Sequence, residues 1–126
     1  MIKTGIIEGA GFTGGELIRL LLNHPDVLLV FITGRGNSGQ YIHEVHRGLY
    51  GETELQFAEE PELDKIDLLF LCTDAEESRQ FMETNKIPEK LKIIDFSRAF
   101  RLKDEGNDFI YGLPELNRRA ICSSRY

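Results

Sequence analysis

Gly9, Gly11 and Gly14 stand at G-x-G-x-x-G spacing within Gly9-Ala10-Gly11-Phe12-Thr13-Gly14-Gly15, the pattern of a turn that cradles phosphate. Glycine permits the tight turn and lets the backbone come close to an anion. Free N–H groups and the positive dipole end of a following helix then favour that anion. The same glycines also suit a plain helix-packing turn. Thr13 can cap the helix through its hydroxyl, contact a phosphate, or do both. Arg35 lies just past the second apolar run, where a guanidinium can pair with the 2′-phosphate of NADP or simply be solvated. Thr33-Gly34 stands where an NAD enzyme places Asp or Glu for the ribose. Cys72 and Thr73 close a third apolar run, where backbone contact to a nicotinamide or a packed thiol are both open. His43 and His46 lie three apart, but no cysteine or carboxylate cluster completes a metal site around them. They read as loop or helix-surface histidines.

These residues need elements to position them. Ile2–Ile7, Val27–Ile32, Asp67–Cys72 and Leu91–Phe96 are apolar runs of strand length, as expected for strands covered on both faces. Helical stretches lie between them, over Thr13–Asn23 and Ala75–Thr84, and His24-Pro25 ends the first because the residue before proline avoids the helical region. Gly34–Gly39 reads as a loop and Gln40–Gly51 as a short helix and a turn. Glu54–Phe57 reads as an edge strand, Phe109–Tyr111 as a short strand, and Pro114–Ile121 as a helix with proline in its first turn. Alternating strands and helices predict an α/β fold, a doubly wound and mostly parallel sheet with helices on both faces. In such a sheet ligands collect beyond the carboxyl ends of the strands. The loops after Ile7, Ile32 and Leu71 therefore carry the expected site.

Composition narrows the function. The 126 residues suffice for one domain with its own core. A net charge of −6, mixed along the chain, argues against a nucleic-acid surface. No apolar run reaches the ~20 residues of a membrane span, and the chain enters a strand at once, without the pattern of a signal peptide. Two cysteines without metal-ligand spacing fit a reducing cytoplasm. Oligomeric state stays open, with a homo-oligomer compatible.

Gly11-Phe12-Thr13-Gly14-Gly15-Glu16-Leu17-Ile18-Arg19-Leu20-Leu21, followed by His24-Pro25, resembles the opening of the N-acetyl-γ-glutamyl-phosphate reductases, in the aspartate-semialdehyde dehydrogenase-like group. Asp95-Phe96-Ser97-Arg98-Ala99-Phe100-Arg101 resembles that family's Asp-Leu-Ser-Ala-Asp-Phe-Arg, and Tyr111-Gly112-Leu113-Pro114-Glu115-Leu116 matches its Tyr-Gly-Leu-Pro-Glu-Leu. The resemblance implies a Rossmann-type NADP-binding domain over residues 1–126, the N-terminal part of an arginine-biosynthesis oxidoreductase that reduces an acyl phosphate to an aldehyde. Together with the residue reading above, the expected cofactor contacts are Gly9, Gly11, Phe12, Thr13, Gly14, Arg35, Cys72 and Thr73. The resemblance also places Ser97 and Arg101 beside the substrate, where Arg101 would hold a phosphate or carboxylate.

Departures accompany the matches. The family's pattern is G-x-x-G-x-x-G, and its first glycine falls on Glu8. A glutamate there strains the turn, and a carboxylate pointing inward repels a pyrophosphate. Phe12 replaces a tyrosine, Ala99 an aspartate, and Ala75-Glu76 a His-Gly pair. The family's nucleophilic cysteine lies in an Asn-Pro-Gly-Cys segment, which these residues lack; Cys122 in Ile121-Cys122-Ser123-Ser124 does not match it. The expectation is a cofactor-binding part that is inactive alone. The alternative is a non-catalytic nucleotide-binding or interaction module of the same fold, with apolar surface exposed where a catalytic domain would sit.

Overall fold

A computed structural model describes residues 1–102 and 107–126. Four strands, β1 (Ile2–Ile7), β2 (Val27–Ile32), β3 (Leu68–Leu71) and β4 (Lys92–Asp95), form one sheet in the order β2-β1-β3-β4. Every pairing is parallel. Neighbouring side chains on a strand point to opposite faces, and the core divides accordingly. Ile6, Ile32 and Phe70 belong to one cluster, sealed by Ile18 of helix α1 (Phe12–Leu22) and by Phe57. Ile7, Phe31, Leu69 and Leu71 belong to the other, against which Phe81 and Met82 of α3 (Ala75–Thr84) pack. Between β2 and β3 the chain forms the short helix α2 (Ile42–Val45) and a 3-10 turn over Arg47–Leu49. The last helix is α4 (Pro114–Ser123).

This arrangement is the predicted doubly wound α/β fold. From β1 the chain proceeds to β2 on one side, and from β3 it proceeds to β4 on the other. The connections therefore diverge beyond the carboxyl ends of β1 and β3, which opens a crevice there. No helix among the described residues is long and apolar enough to cross a membrane.

Several local expectations change. β3 and β4 are each two residues shorter than the apolar runs that predict them. Glu54–Phe57 forms no edge strand. Gln56 makes an isolated bridge to Tyr41 and Ala58 one to Thr33, because the Phe57 N–H and C=O pair with Gln40 and Gly39 and its ring enters the core. Phe109–Tyr111 is not a strand either: the Phe109 ring is stacked between Phe100, at 4.1 Å, and Tyr126, at 5.0 Å. Helix α1 begins at Phe12, one residue earlier than expected, which puts Thr13 inside it. Gly11 is the N-cap residue, with no side-chain cap bond, so the capping role expected of Thr13 is not the observed one. Capping by a side chain occurs instead at α3, where Asp74 accepts the Glu77 N–H at 2.8 Å. Helix α4 runs two residues beyond its predicted end and is kinked at Asn117 (φ −129°, ψ 24°).

Candidate dinucleotide site at the carboxyl edge of the sheet

The glycine turn links three elements. Gly9 N–H donates to the Thr33 carbonyl at 2.8 Å, tying the turn to the end of β2. A Cβ on Gly9 would lie 2.3 Å from Ile32 Cγ2, and one on Gly14 would lie 2.6 Å from the Gly9 backbone. These two glycines let α1 and β2 close on the turn. Gly11 is different, since a Cβ there would meet nothing within 4 Å. With no side-chain cap and no acidic residue in its first turn, the N-terminus of α1 stays open to an anion. Phe12, 89% exposed, and the exposed Thr13 stand at that opening.

His46 supports the turn from behind. Its Nε2 lies 2.7 Å from the Gly9 carbonyl oxygen, and its ring fills the space beside Gly15, where a Cβ would come within 2.6 Å of Nδ1. Sequence reasoning missed this role. The contact joins residues 37 apart through an irregular connection, and no local pattern signals it.

The far side of the crevice is acidic. Glu8 has φ 61°, the only positive value at a non-glycine residue among those described. This left-handed conformation identifies position 8 as the first turn residue that glycine suits best, in agreement with the family register. The carboxylate does not point into the turn. Glu8 Oε1 accepts the Arg35 backbone N–H at 3.1 Å, just beyond β2, and the inward repulsion expected from the sequence is thereby redirected. The Arg35 guanidinium, 77% exposed, pairs with Glu77 Oε2 at 3.1 Å. A pair this open is worth about 0–1 kcal/mol. Burial, then Asp74 and more weakly Glu8, raise the Glu77 carboxyl above its ordinary value, while Arg35 opposes them. Asp74 is held below its ordinary value, chiefly by the backbone N–H of Glu77.

At the ends of β3 and β4 the polar groups satisfy one another. Cys72 N–H donates to the Ile7 carbonyl at 3.0 Å. Burial, and secondarily the Asp95 charge, push its thiol up to about 11. Thr73 Oγ1 lies 2.5 Å from Ser78 Oγ, which donates to Asp95 Oδ1 at 2.8 Å. Ser97 Oγ, in a residue only 8% exposed, donates to Asp95 Oδ2 at 2.7 Å and accepts the Ala99 N–H at 3.1 Å. Arg101 donates to the Ser97 and Phe96 carbonyls, both at 3.1 Å. Asp95 is thus the hub of this corner, a role absent from the sequence reading, and Ser97 and Arg101 brace its loop. Gly9, Gly11, Phe12, Thr13 and Gly14 gather at one turn, with Arg35 at the end of β2 and Cys72 and Thr73 at the end of β3. Among the described residues no group of three or more His, Cys, Asp or Glu side chains could hold a metal ion.

A doubly wound parallel sheet with a glycine turn and an open helix N-terminus at its switch point defines a dinucleotide-binding domain. Residues 3–124 match the family described as semialdehyde dehydrogenase, NAD binding domain, and the chain belongs to that family. Over its full length it is 59% identical to an N-acetyl-γ-glutamyl-phosphate reductase of Phocaeicola vulgatus and 57% identical to that of Bacteroides thetaiotaomicron. It spans 39% of the length of each of these relatives. Aspartate semialdehyde dehydrogenase with NADP from Candida albicans shares the fold at TM-score 0.65 and 17% identity, over 80% of this chain and 31% of that one.

Proposed function

We propose that the chain is the cofactor-binding part of an NADP-dependent N-acetyl-γ-glutamyl-phosphate reductase. The observation that carries this reading is the open N-terminus of α1 behind the Gly9–Gly14 turn, in a chain whose relatives bear that enzyme's name. The cofactor supplies a hydride. The chain's own residues bind and orient it. The backbone N–H groups at the start of α1 receive the pyrophosphate, Thr13 lends a hydroxyl, and Arg35 offers a cation for the 2′-phosphate. Cys72 and Thr73, at the end of β3, would hold the nicotinamide half. Ser97 and Arg101 serve the substrate side by shaping the loop after β4.

These residues do not supply the nucleophile that acyl-phosphate reduction requires. Cys72 is held protonated, with its thiol pushed up to about 11. Cys122 is an exposed residue of α4 outside the Asn-Pro-Gly-Cys pattern. The 126 residues therefore bind cofactor without reducing substrate.

Gly11→Glu tests the binding reading. The new side chain would enter open space, and φ −78° at this position suits any residue, so the fold should survive. Its carboxylate would stand where the pyrophosphate binds. Calorimetric titration should show saturable NADPH binding by the parent and at least about a tenfold loss in the variant, from like-charge repulsion. A parent that does not bind, or a variant that binds equally well while melting normally, would overturn the reading.

A further inference from the structure

We infer that Glu8 tunes this dinucleotide site: its carboxylate faces the 2′ position of the adenosine ribose and weakens the hold on the 2′-phosphate that Arg35 provides. The inference rests on the proposal that the crevice holds a dinucleotide. In doubly wound sheets the end of β2 discriminates between the two cofactors. A carboxylate there accepts from the ribose 2′-hydroxyl, whereas a nearby arginine accommodates the 2′-phosphate. Here Thr33-Gly34 occupies the place of that carboxylate. The preceding strand supplies one instead. Glu8 has a left-handed backbone, at φ 61°. Its Oε1 then docks on the Arg35 N–H at 3.1 Å, immediately beyond β2.

The surroundings reinforce the charge. A cleft of about 420 Å³ opens beside Glu8, and its charged lining consists of Glu8, Glu59, Glu60 and Arg35. Three glutamates and one arginine thus share this lining, and the guanidinium is already engaged by Glu77 at 3.1 Å. A ribose with two free hydroxyls can donate to Glu8 at this place. A 2′-phosphate has only acceptors to offer and must either draw Arg35 from Glu77 or stand against the negative field.

Titration of the parent, Glu8→Gln and Glu8→Gly with NADH and NADPH, each at low and high salt, separates the causes. The glutamine variant keeps the side chain's length and removes its charge; the glycine variant also frees the backbone. Removing the charge should tighten NADPH by at least about tenfold while NADH stays within about threefold of the parent, because only the phosphate adds negative charge at that position. The gap should narrow in high salt. Equal change for both nucleotides in Glu8→Gln, or no change for either, would overturn the role of Glu8 and leave dinucleotide binding standing. Equal tightening of both by Glu8→Gly, with none from Glu8→Gln, would likewise overturn it and place the limit in the backbone. No binding of either nucleotide to any of the three proteins would overturn the site itself.

Discussion

The two cysteines differ in what surrounds their sulfur atoms. Cys72 lies at the end of β3, half-buried beside Asp95, and both influences disfavour its thiolate. With its thiol pushed from 9.0 to about 11, its thiolate fraction at pH 8 is about a hundredth of an ordinary thiol's, at one decade per unit. Iodoacetamide at pH 8 should therefore label the exposed Cys122 first, and peptide mass analysis would show Cys72 lagging by at least about tenfold. Equal labelling would mean that the end of β3 opens to solvent. The same perturbation makes a stability prediction. The folded state favours the protonated thiol, so this contribution is complete below the ordinary value of 9.0 and is lost as pH rises through about 11. Denaturant melts of the parent and Cys72→Ala across that window should diverge, the parent losing stability more steeply. Parallel curves would assign the alkaline loss to other groups.

At the scale of elements, the sheet depends on a close approach at Gly5. This residue of central β1 sits where the register with β2 shifts, and a Cβ would come within 2.4 Å of Phe31 Cζ and 3.0 Å of Ile66 Cδ1. Gly5→Val should destabilise the fold by about 1–3 kcal/mol through overpacking, seen as a lower urea midpoint at unchanged slope. A midpoint equal to the parent's would mean that the Phe31 ring yields freely. The four strands and helices α1 and α3 were legible in the sequence because each is a sustained apolar run or amphipathic stretch between clear breakers. Phe57 and Phe109 look like strand residues in the sequence because an aromatic in a short alternating segment has the same pattern whether it pairs or plugs a core. Only the partner segments distinguish these outcomes: the Gly39–Gln40 loop for Phe57, and the Phe100 and Tyr126 rings for Phe109. The glycine turn was legible in part. Its spacing and context pointed to the crevice, whereas the support from His46 and the direction of Glu8 arise from contacts 37 and 27 residues away in the chain. Asp95 shows the same limit, because a strand-ending aspartate does not announce the three hydroxyl and amide donors that converge on it.

At the scale of the whole molecule, two edges of the sheet differ in character. One edge of the sheet is built for a dinucleotide, with the open α1 terminus near its centre. The opposite flank, beyond β4, carries a cleft of about 690 Å³ lined by Phe96, Phe100, Tyr111, Leu113 and Arg125 among others. Ile94, Phe96, Leu102, Tyr111, Leu113 and Leu116 are exposed apolar residues of this strand and the segments that follow it. Of the two thiols, Cys72 is suppressed by burial and by Asp95, while Cys122, an exposed residue of α4, lines that cleft outside the family's cysteine pattern. Binding a hydride donor without a nucleophile cannot form the covalent intermediate that thiol-dependent acyl transfer needs. The 126-residue protein should therefore titrate with NADPH yet show no phosphate-dependent oxidation of N-acetylglutamate semialdehyde with NADP, followed by absorbance of the reduced cofactor. The test includes Cys72→Ala and Cys122→Ala. Turnover abolished by either substitution would give that thiol the nucleophilic role. Turnover surviving both would mean that a group other than a thiol does the chemistry, and the separation of binding from catalysis at the residue level would fail.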